Sequence, residues 1–150
     1  MPGRYRQMFQ KGTDKLHVVR LMFTEVLGLA LKVEAELRFR RFESVLAGLE
    51  KQSSVRSRGV VPAERLQRAI RGVYRVLPFE STCLKQSLIF CRAWRRRGLT
   101  AELRIGVQKE GGVFAAHAWV EDGAGNVLTD PREGFSPVAL PAIRDSRASD

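Results

Sequence analysis

The stretch that decides the fold is residues 81–107, STCLKQSLIFCRAWRRRGLTAELRIGV. As far as Gly98 its apolar residues recur at helical spacing. Either Ser81 or Thr82 can cap the start of that helix, and Gly98 is a suitable end. Beyond Gly98 apolar and polar residues alternate, which is the pattern of a half-buried strand. A central helix followed directly by a strand predicts an α+β fold.

The chain before this stretch is expected to be helical. Apolar residues recur at helical spacing through residues 14–51 without a proline, which predicts one long helix or two helices joined near Gly28. Residues 52–59 have the composition of a loop, and a further helix is predicted between Pro62 and Pro78. We expect this helical region to pack against the sheet.

The chain after the stretch should complete a small antiparallel sheet. A turn is predicted at residues 109–112, and the strand at 113–121 is apolar on both faces, which suits an interior position in the sheet. A four-residue turn at 122–125 then leads into a third strand at residues 126–130. The helix that carries Cys83 should cross this sheet, with the functional site at its N-terminal end.

The length of 150 residues predicts a single domain over residues 1–150. We expect a helical N-terminal region at residues 1–60 and a core at residues 61–143. The polar residues 144–150 should form a disordered tail.

The net charge of +10 comes from 26 Lys and Arg against 16 Asp and Glu. These charges are mixed along every segment, which is typical of solvated helix surfaces, so we do not expect a nucleic-acid partner. The chain has no apolar segment long enough to span a bilayer and no signal-peptide pattern, so we expect a cytoplasmic protein without membrane association. Cys83 and Cys91 should then be free thiols.

Cys83 is the candidate nucleophile. It would lie in the first turn of the central helix, where unpaired backbone N–H groups and the helix dipole favour the thiolate that attacks carbonyl groups. The alternative is a small buried hydrophobic residue, which is the commoner role of a free cysteine. Cys91 fits that alternative, because it lies on the apolar stripe of the same helix.

His117 is the candidate base, and Asp130 the residue that orients it. His117 lies in an apolar strand, where an imidazole needs a polar partner. If Glu121 pairs with Asn126 across the four-residue turn, His117 comes opposite Asp130, with Cβ atoms about 4.5–5.5 Å apart. Glu121 and Asp122 are rival orienting residues, but the first lies four residues along the same strand and the second in the turn.

Together these three residues supply a nucleophile, a base and an orienting carboxylate in the order Cys83, His117, Asp130. The two cysteines and two histidines are scattered singly and lack the spacing of metal ligands, so neither a metal nor another cofactor is expected.

Several short motifs, in this order and spacing, resemble those of the transglutaminase-like cysteine proteases that mature lasso peptides. They are Leu77-Pro78-Phe79, Ser81-Thr82-Cys83-Leu84, Arg96-Arg97-Gly98, Leu103-Arg104-Ile105-Gly106-Val107 and Ala116-His117-Ala118-Trp119-Val120-Glu121. The resemblance implies a transglutaminase-like, papain-like core whose nucleophile, base and third member are Cys83, His117 and Asp130.

The resemblance also implies a function and its partners. The chain would be a stand-alone leader peptidase that cuts a ribosomally made precursor peptide, acting with a separate leader-recognition protein and an ATP-dependent lasso cyclase. Two alternatives stay open. One is amide crosslinking, in which an amine in place of water resolves the thioester. The other is a non-catalytic scaffold that binds the precursor or the cyclase.

Overall fold

The computed structural model describes residues 3–52, 59, 61–129 and 134–138, with side chains from residue 16 onward. Within these residues the elements, in chain order, are α1 (Gly3–Phe39), α2 (Phe42–Glu50), α3 (Ala63–Val76), α4 (Cys83–Arg95), β1 (Glu102–Glu110), β2 (Val113–Glu121) and β3 (Ser136–Val138). The predicted α+β fold is confirmed. The expected tail at residues 144–150 lies outside the described residues.

The sequence leaves open one long helix or two helices joined near Gly28; the region forms two helices, but they are joined at Arg41 and not near Gly28. Helix α1 continues through Gly28 to Phe39, and the chain turns at Arg41, whose extended backbone (φ −69°, ψ 145°) separates α1 from α2. A glycine inside a helix costs about 1 kcal/mol relative to alanine. Here the neighbouring Val26 and Leu29 are buried in the core, and their packing outweighs that cost.

The two helices that follow begin and end where the sequence indicates. Helix α3 starts directly after Pro62 and its last residue lies two positions before Pro78. Helix α4 is capped by Thr82, whose hydroxyl oxygen accepts a hydrogen bond from the Lys85 backbone N–H at 3.3 Å. After α4 the chain turns at Gly98, which has a φ of 77°, a conformation that costs glycine little.

The three strands form an antiparallel sheet in the order β2-β1-β3. Strands β1 and β2 are joined by a tight turn at Gly111 and Gly112, both with positive φ, as a type I′ hairpin turn requires. Among the described strands β1 lies in the middle, and the predicted interior position of β2 holds only at its C-terminal end, where Glu121 bridges to Val127. The apolar N-terminal half of β2, including Val113 and Phe114, is exposed and not covered on both faces.

The turn after β2 corrects the predicted register. Glu121 forms an isolated bridge with Val127 and not with Asn126. The carboxylate of Asp122 accepts hydrogen bonds from the backbone N–H groups of Ala124 and Asn126, each at 2.9 Å, which draws Asn126 into the turn and lengthens it by one residue. Within the described residues, the predicted strand at 126–130 is reduced to this bridge.

Helix α4 is the centre of the fold. Its residues Leu88, Ile89 and Phe90 are fully buried between the other helices and the sheet. Cations on α4 and just after it also reach carboxylates on α1. These pairs are Lys85–Glu34 at 2.7 Å, Arg92–Glu36, and Arg97–Glu25 at 3.0 Å. Because α4 is held from both sides, its N-terminal end has a fixed position over the sheet.

No helix in the described part of the chain has the length and apolar character needed to cross a membrane.

Candidate active site

Cys83 is the first residue of α4, as the sequence predicts. It is half-buried and forms no disulfide. Thr82 closes the first turn by bonding to Lys85, and the Thr82 carbonyl oxygen accepts from the Gln86 N–H at 3.0 Å. The N–H groups of Cys83 and Leu84 have no acceptor among the described residues. They therefore present donors and the positive end of the helix dipole to an anion at the Cys83 position.

Cys91 is chemically different from Cys83. It is fully buried in the core, which confirms the sequence prediction. Burial raises the pKa of the Cys91 thiol to about 12, despite the neighbouring cations Arg95 and Arg92, which lower it. The thiol is therefore protonated at neutral pH, which makes Cys91 a poor nucleophile.

His117 lies on β2, paired with Gly106 of β1. Its half-buried ring packs between two aromatic rings, with centroids 6.2 Å from Trp119 and 5.5 Å from Phe135. Phe135 comes from the segment just before β3, so the ring contacts residues from two separate segments of the chain. This packing restricts the directions in which the imidazole can point.

Gly106 makes this aromatic packing possible. A Cβ atom at this position would lie 2.7 Å from Cζ3 and 2.8 Å from Cη2 of Trp119, and 3.0 Å from Cβ of Phe135. No real side chain tolerates such contacts, so the two rings that hold His117 occupy space that only a glycine leaves open.

Cys83 and His117 line the same cleft, which has a volume of about 70 Å³. One wall is a single face of α4 and another comes from β2 and the bend after it. The residues of the cleft are Gln67, Ile70, Arg71, Cys83, Gln86, Ser87, Phe90, His117, Ala118 and Thr129. The structure thus brings together two of the three predicted site residues.

A hydrogen bond links the two elements that carry these residues. Ser87, one turn after Cys83, donates its hydroxyl to the backbone carbonyl of Ala118, next to His117, at 3.1 Å. Both residues are buried. The bond sets the position of the Cys83 helix relative to the His117 strand. The sequence signal that could have indicated this bond is a lone serine in an otherwise apolar helical stripe, because a buried hydroxyl needs a hydrogen-bond partner.

Asp130, the third predicted member, lies outside the described residues, so its role stays a prediction. Its two rivals have other partners. The carboxylate of Glu121 accepts hydrogen bonds from the Trp119 indole N–H at 2.8 Å and from Arg104 at 2.9 Å. These bonds lower the pKa of Glu121, and the bond from Trp119 has the larger effect. The pKa of Asp122 is lowered by its bonds to Asn126.

The contribution of α3 to the cleft was not predicted from the sequence. Gln67, Ile70 and Arg71 line the cleft on its third side, and the Gln67 side-chain amide donates to the Leu128 carbonyl oxygen, which ties α3 to the bend after β2. The helical periodicity placed Ile70 on a buried face, but nothing in it shows that this face meets Cys83. Within the described part of the chain, no three His, Cys, Asp or Glu side chains are placed to hold a metal ion.

Comparison with known families agrees with this geometry. The model of the transglutaminase-like superfamily matches residues 29–139, a range that contains Cys83, His117 and Asp130. Comparison with curated proteins and with solved structures gave no match.

Proposed function

The chain belongs to the transglutaminase-like superfamily, and from this membership we propose that it is a cysteine peptidase that removes the leader from a ribosomally made lasso-peptide precursor. Members of the superfamily are often cysteine proteases or acyltransferases, so the general chemistry is thiol acyl transfer. The finer assignment draws on the motifs around Cys83 and His117, which resemble those of the lasso-peptide leader peptidases.

One observation carries the proposal: a half-buried cysteine at a helix start and a histidine on the neighbouring strand line one cleft. In the proposed reaction, His117 takes the proton of the Cys83 thiol and the sulfur attacks the last carbonyl carbon of the leader. The core peptide leaves as an amine that collects the proton. Water then hydrolyses the thioester and releases the leader with a free carboxylate.

The oxyanion of each tetrahedral intermediate would be bound at the start of α4. The backbone N–H groups of Cys83 and Leu84 are the candidate donors, because the next two N–H groups of the helix bond to Thr82. Such fixed donors stabilise developing negative charge at little reorganisation cost. Asp130 is proposed to accept the second imidazole N–H and so to fix the tautomer of His117.

The proposed reaction includes partners. A separate recognition protein would present the leader, and an ATP-dependent cyclase would use the amine that the cut releases. We place this sequence of reactions in the cytoplasm, where the thiol of Cys83 stays reduced.

Mass spectrometry tests the proposal directly. A precursor peptide encoded near the gene is incubated with its recognition protein and with the wild-type chain, Cys83→Ala or Cys91→Ala. We expect a single cut at the leader–core junction with wild type and Cys91→Ala, and none with Cys83→Ala. Equal cutting by all three would remove Cys83 from the mechanism. A leader joined to an amine would indicate crosslinking, and binding without any covalent change would indicate a scaffold.

A further inference from the structure

Strand β2 has an outer edge, the one that faces away from β1. Its hydrogen bonds follow the alternating pattern of an antiparallel strand. The Val120 carbonyl accepts from the Leu128 N–H at 2.8 Å, and the Val120 N–H donates to the Thr129 hydroxyl at 2.9 Å. Val120 therefore directs its backbone groups away from β1. In an antiparallel pair this direction alternates along the strand. Ala118 must then also face outward, which agrees with the bond from Ser87 to its carbonyl oxygen.

By the same alternation, the backbone N–H and C=O groups of Phe114 and Ala116 point to the outer edge. Within the part of the chain that the structure describes, no residue bonds to their outward backbone groups. Both residues are exposed, and the Phe114 side chain has 72% of its surface accessible. Within the described residues, the C-terminal half of this edge is thus paired by the chain itself, while two positions of its N-terminal half, Phe114 and Ala116, are open. An open edge of this kind can pair with another peptide.

These open positions directly precede His117 and Ala118, the residues of β2 that line the cleft with Cys83. Helix α4 runs in the same direction as β2, because Ser87 bonds to Ala118 and, two turns later, Arg95 bonds to Ala101, at the end of the sheet where β2 stops. Cys83 precedes Ser87 by four residues, about 6 Å of helix. Ala116 precedes Ala118 by two residues, about 7 Å of strand. Measured along the direction of β2, Cys83 and Ala116 therefore lie at about the same position.

We propose that the peptide substrate binds as an added strand on the outer edge of β2, pairing with the backbone of Ala116 and Phe114. This inference rests on the proposed function and adds the conformation of the substrate to it: an extended segment next to the scissile bond. Backbone pairing supplies affinity without reading sequence, and the one side chain of the bound segment that lies opposite Phe114 on the same face would contact its exposed ring. The continuity of this edge with the cleft of Cys83 and His117 favours the substrate over another partner.

The added strand makes a specific prediction about the substrate. Only every second peptide N–H of the bound segment would pair with β2. Methylation of these nitrogens, one at a time, should therefore weaken cleavage with a period of two residues. A substrate read through its side chains alone would show no such period.

A proline at position 116 tests the edge from the enzyme side. Ala116→Pro removes an outward N–H, and proline is tolerated at edge positions whose N–H faces solvent. The matched control, Ala116→Thr, keeps the N–H and favours a strand. We expect Ala116→Pro to lower kcat/KM on the precursor by about tenfold, the typical effect of a lost hydrogen bond and a displaced neighbour. Ala116→Thr should lower kcat/KM much less than Ala116→Pro, and iodoacetamide should label Cys83 equally fast in both variants.

Amide exchange separates this inference from the proposed function. The inactive Cys83→Ala chain is mixed with the precursor peptide, and exchange is followed residue by residue by NMR. Protection of the Phe114 and Ala116 amides, with no change at Ala115, supports the added strand whether or not the wild type cuts the peptide. The inference of an added strand is overturned if these two amides gain no protection with peptide or are already protected without it. It is also overturned if a folded Ala116→Pro chain cuts as fast as Ala116→Thr. If that variant does not fold, the methylated peptides decide: the absence of a two-residue period overturns the inference.

Discussion

Replacing Gly106 with alanine should damage the site that holds His117. The new Cβ would lie within 3.0 Å of two Trp119 ring carbons and at 3.0 Å from Phe135, so these side chains must move. Overpacking a core position costs about 1–3 kcal/mol. We therefore expect Gly106→Ala to lower the free energy of unfolding by about that amount, although the substitution adds only one methyl group.

The same displacement should also reduce activity. The His117 ring packs between Trp119 and Phe135, and both move if position 106 gains a side chain. A misplacement of about 1 Å in a catalytic group can cost roughly 100-fold in rate. Gly106→Ala should therefore lower kcat/KM by about 100-fold at temperatures where the chain is still folded.

Gly28 provides the matched control. It lies inside α1, and nothing within 4 Å would meet a Cβ there. Gly28→Ala should stabilise the chain by about 0.5–1 kcal/mol, because alanine loses less conformational freedom in a helix. Urea unfolding followed by far-UV circular dichroism gives both free energies, and cleavage of the precursor gives both activities.

A double-mutant cycle identifies the cause. Phenylalanine lacks the ring atoms Cζ3 and Cη2 that a Cβ at position 106 would meet first, so the cost of Gly106→Ala should shrink in a Trp119→Phe background. The reasoning is refuted if the cost is the same in both backgrounds. It is also refuted if Gly106→Ala leaves both stability and kcat/KM unchanged.

Three further predictions concern the thiols, the helix cap and a buried ion pair. Iodoacetamide should label Cys83 in the native chain and Cys91 only after unfolding, because burial raises the pKa of Cys91 to about 12. Mass spectrometry of peptides identifies the labelled cysteines. Labelling of Cys91 in the native chain would contradict the assignment. Thr82→Ala should cost about 1 kcal/mol in urea unfolding, and Thr82→Ser much less, since serine keeps the capping oxygen. Glu25→Ala should cost about 3–5 kcal/mol because it leaves Arg97 buried and unneutralised, and a cost below about 1 kcal/mol would show that the pair contributes little.

The residues that could be predicted from sequence are those placed by local signals. The start of α4 at Cys83 follows from the Thr82 cap and from the apolar spacing after it, and both act within a few residues. The end near Gly98 and the change to strand spacing are also local. These signals were sufficient for the α+β fold and for the chemical setting of Cys83, because a helix start has the same electrostatic character wherever the helix lies.

The parts that could not be predicted depend on contacts between distant segments. The bridge from Glu121 to Val127 depends on how Asp122 bonds within its own turn, and one residue of turn length shifts every later pairing. The edge position of β2 depends on where β3 pairs, and no spacing in β2 encodes that. At Gly28 the local signal is overruled: glycine favours a break in the helix, but the packing of the buried neighbours keeps α1 continuous.

The small size of the cleft has a consequence for specificity. At about 70 Å³ it is well below the roughly 300–1,000 Å³ of pockets that enclose small ligands. A site of this size can hold the reacting carbonyl group between Cys83 and His117, but it cannot enclose the side chains around the bond. If the chain cuts one peptide bond in a long precursor, the selection must come from outside the cleft. On the proposed function, the open edge at Ala116 would supply alignment that does not depend on sequence, and a separate recognition protein would choose the precursor.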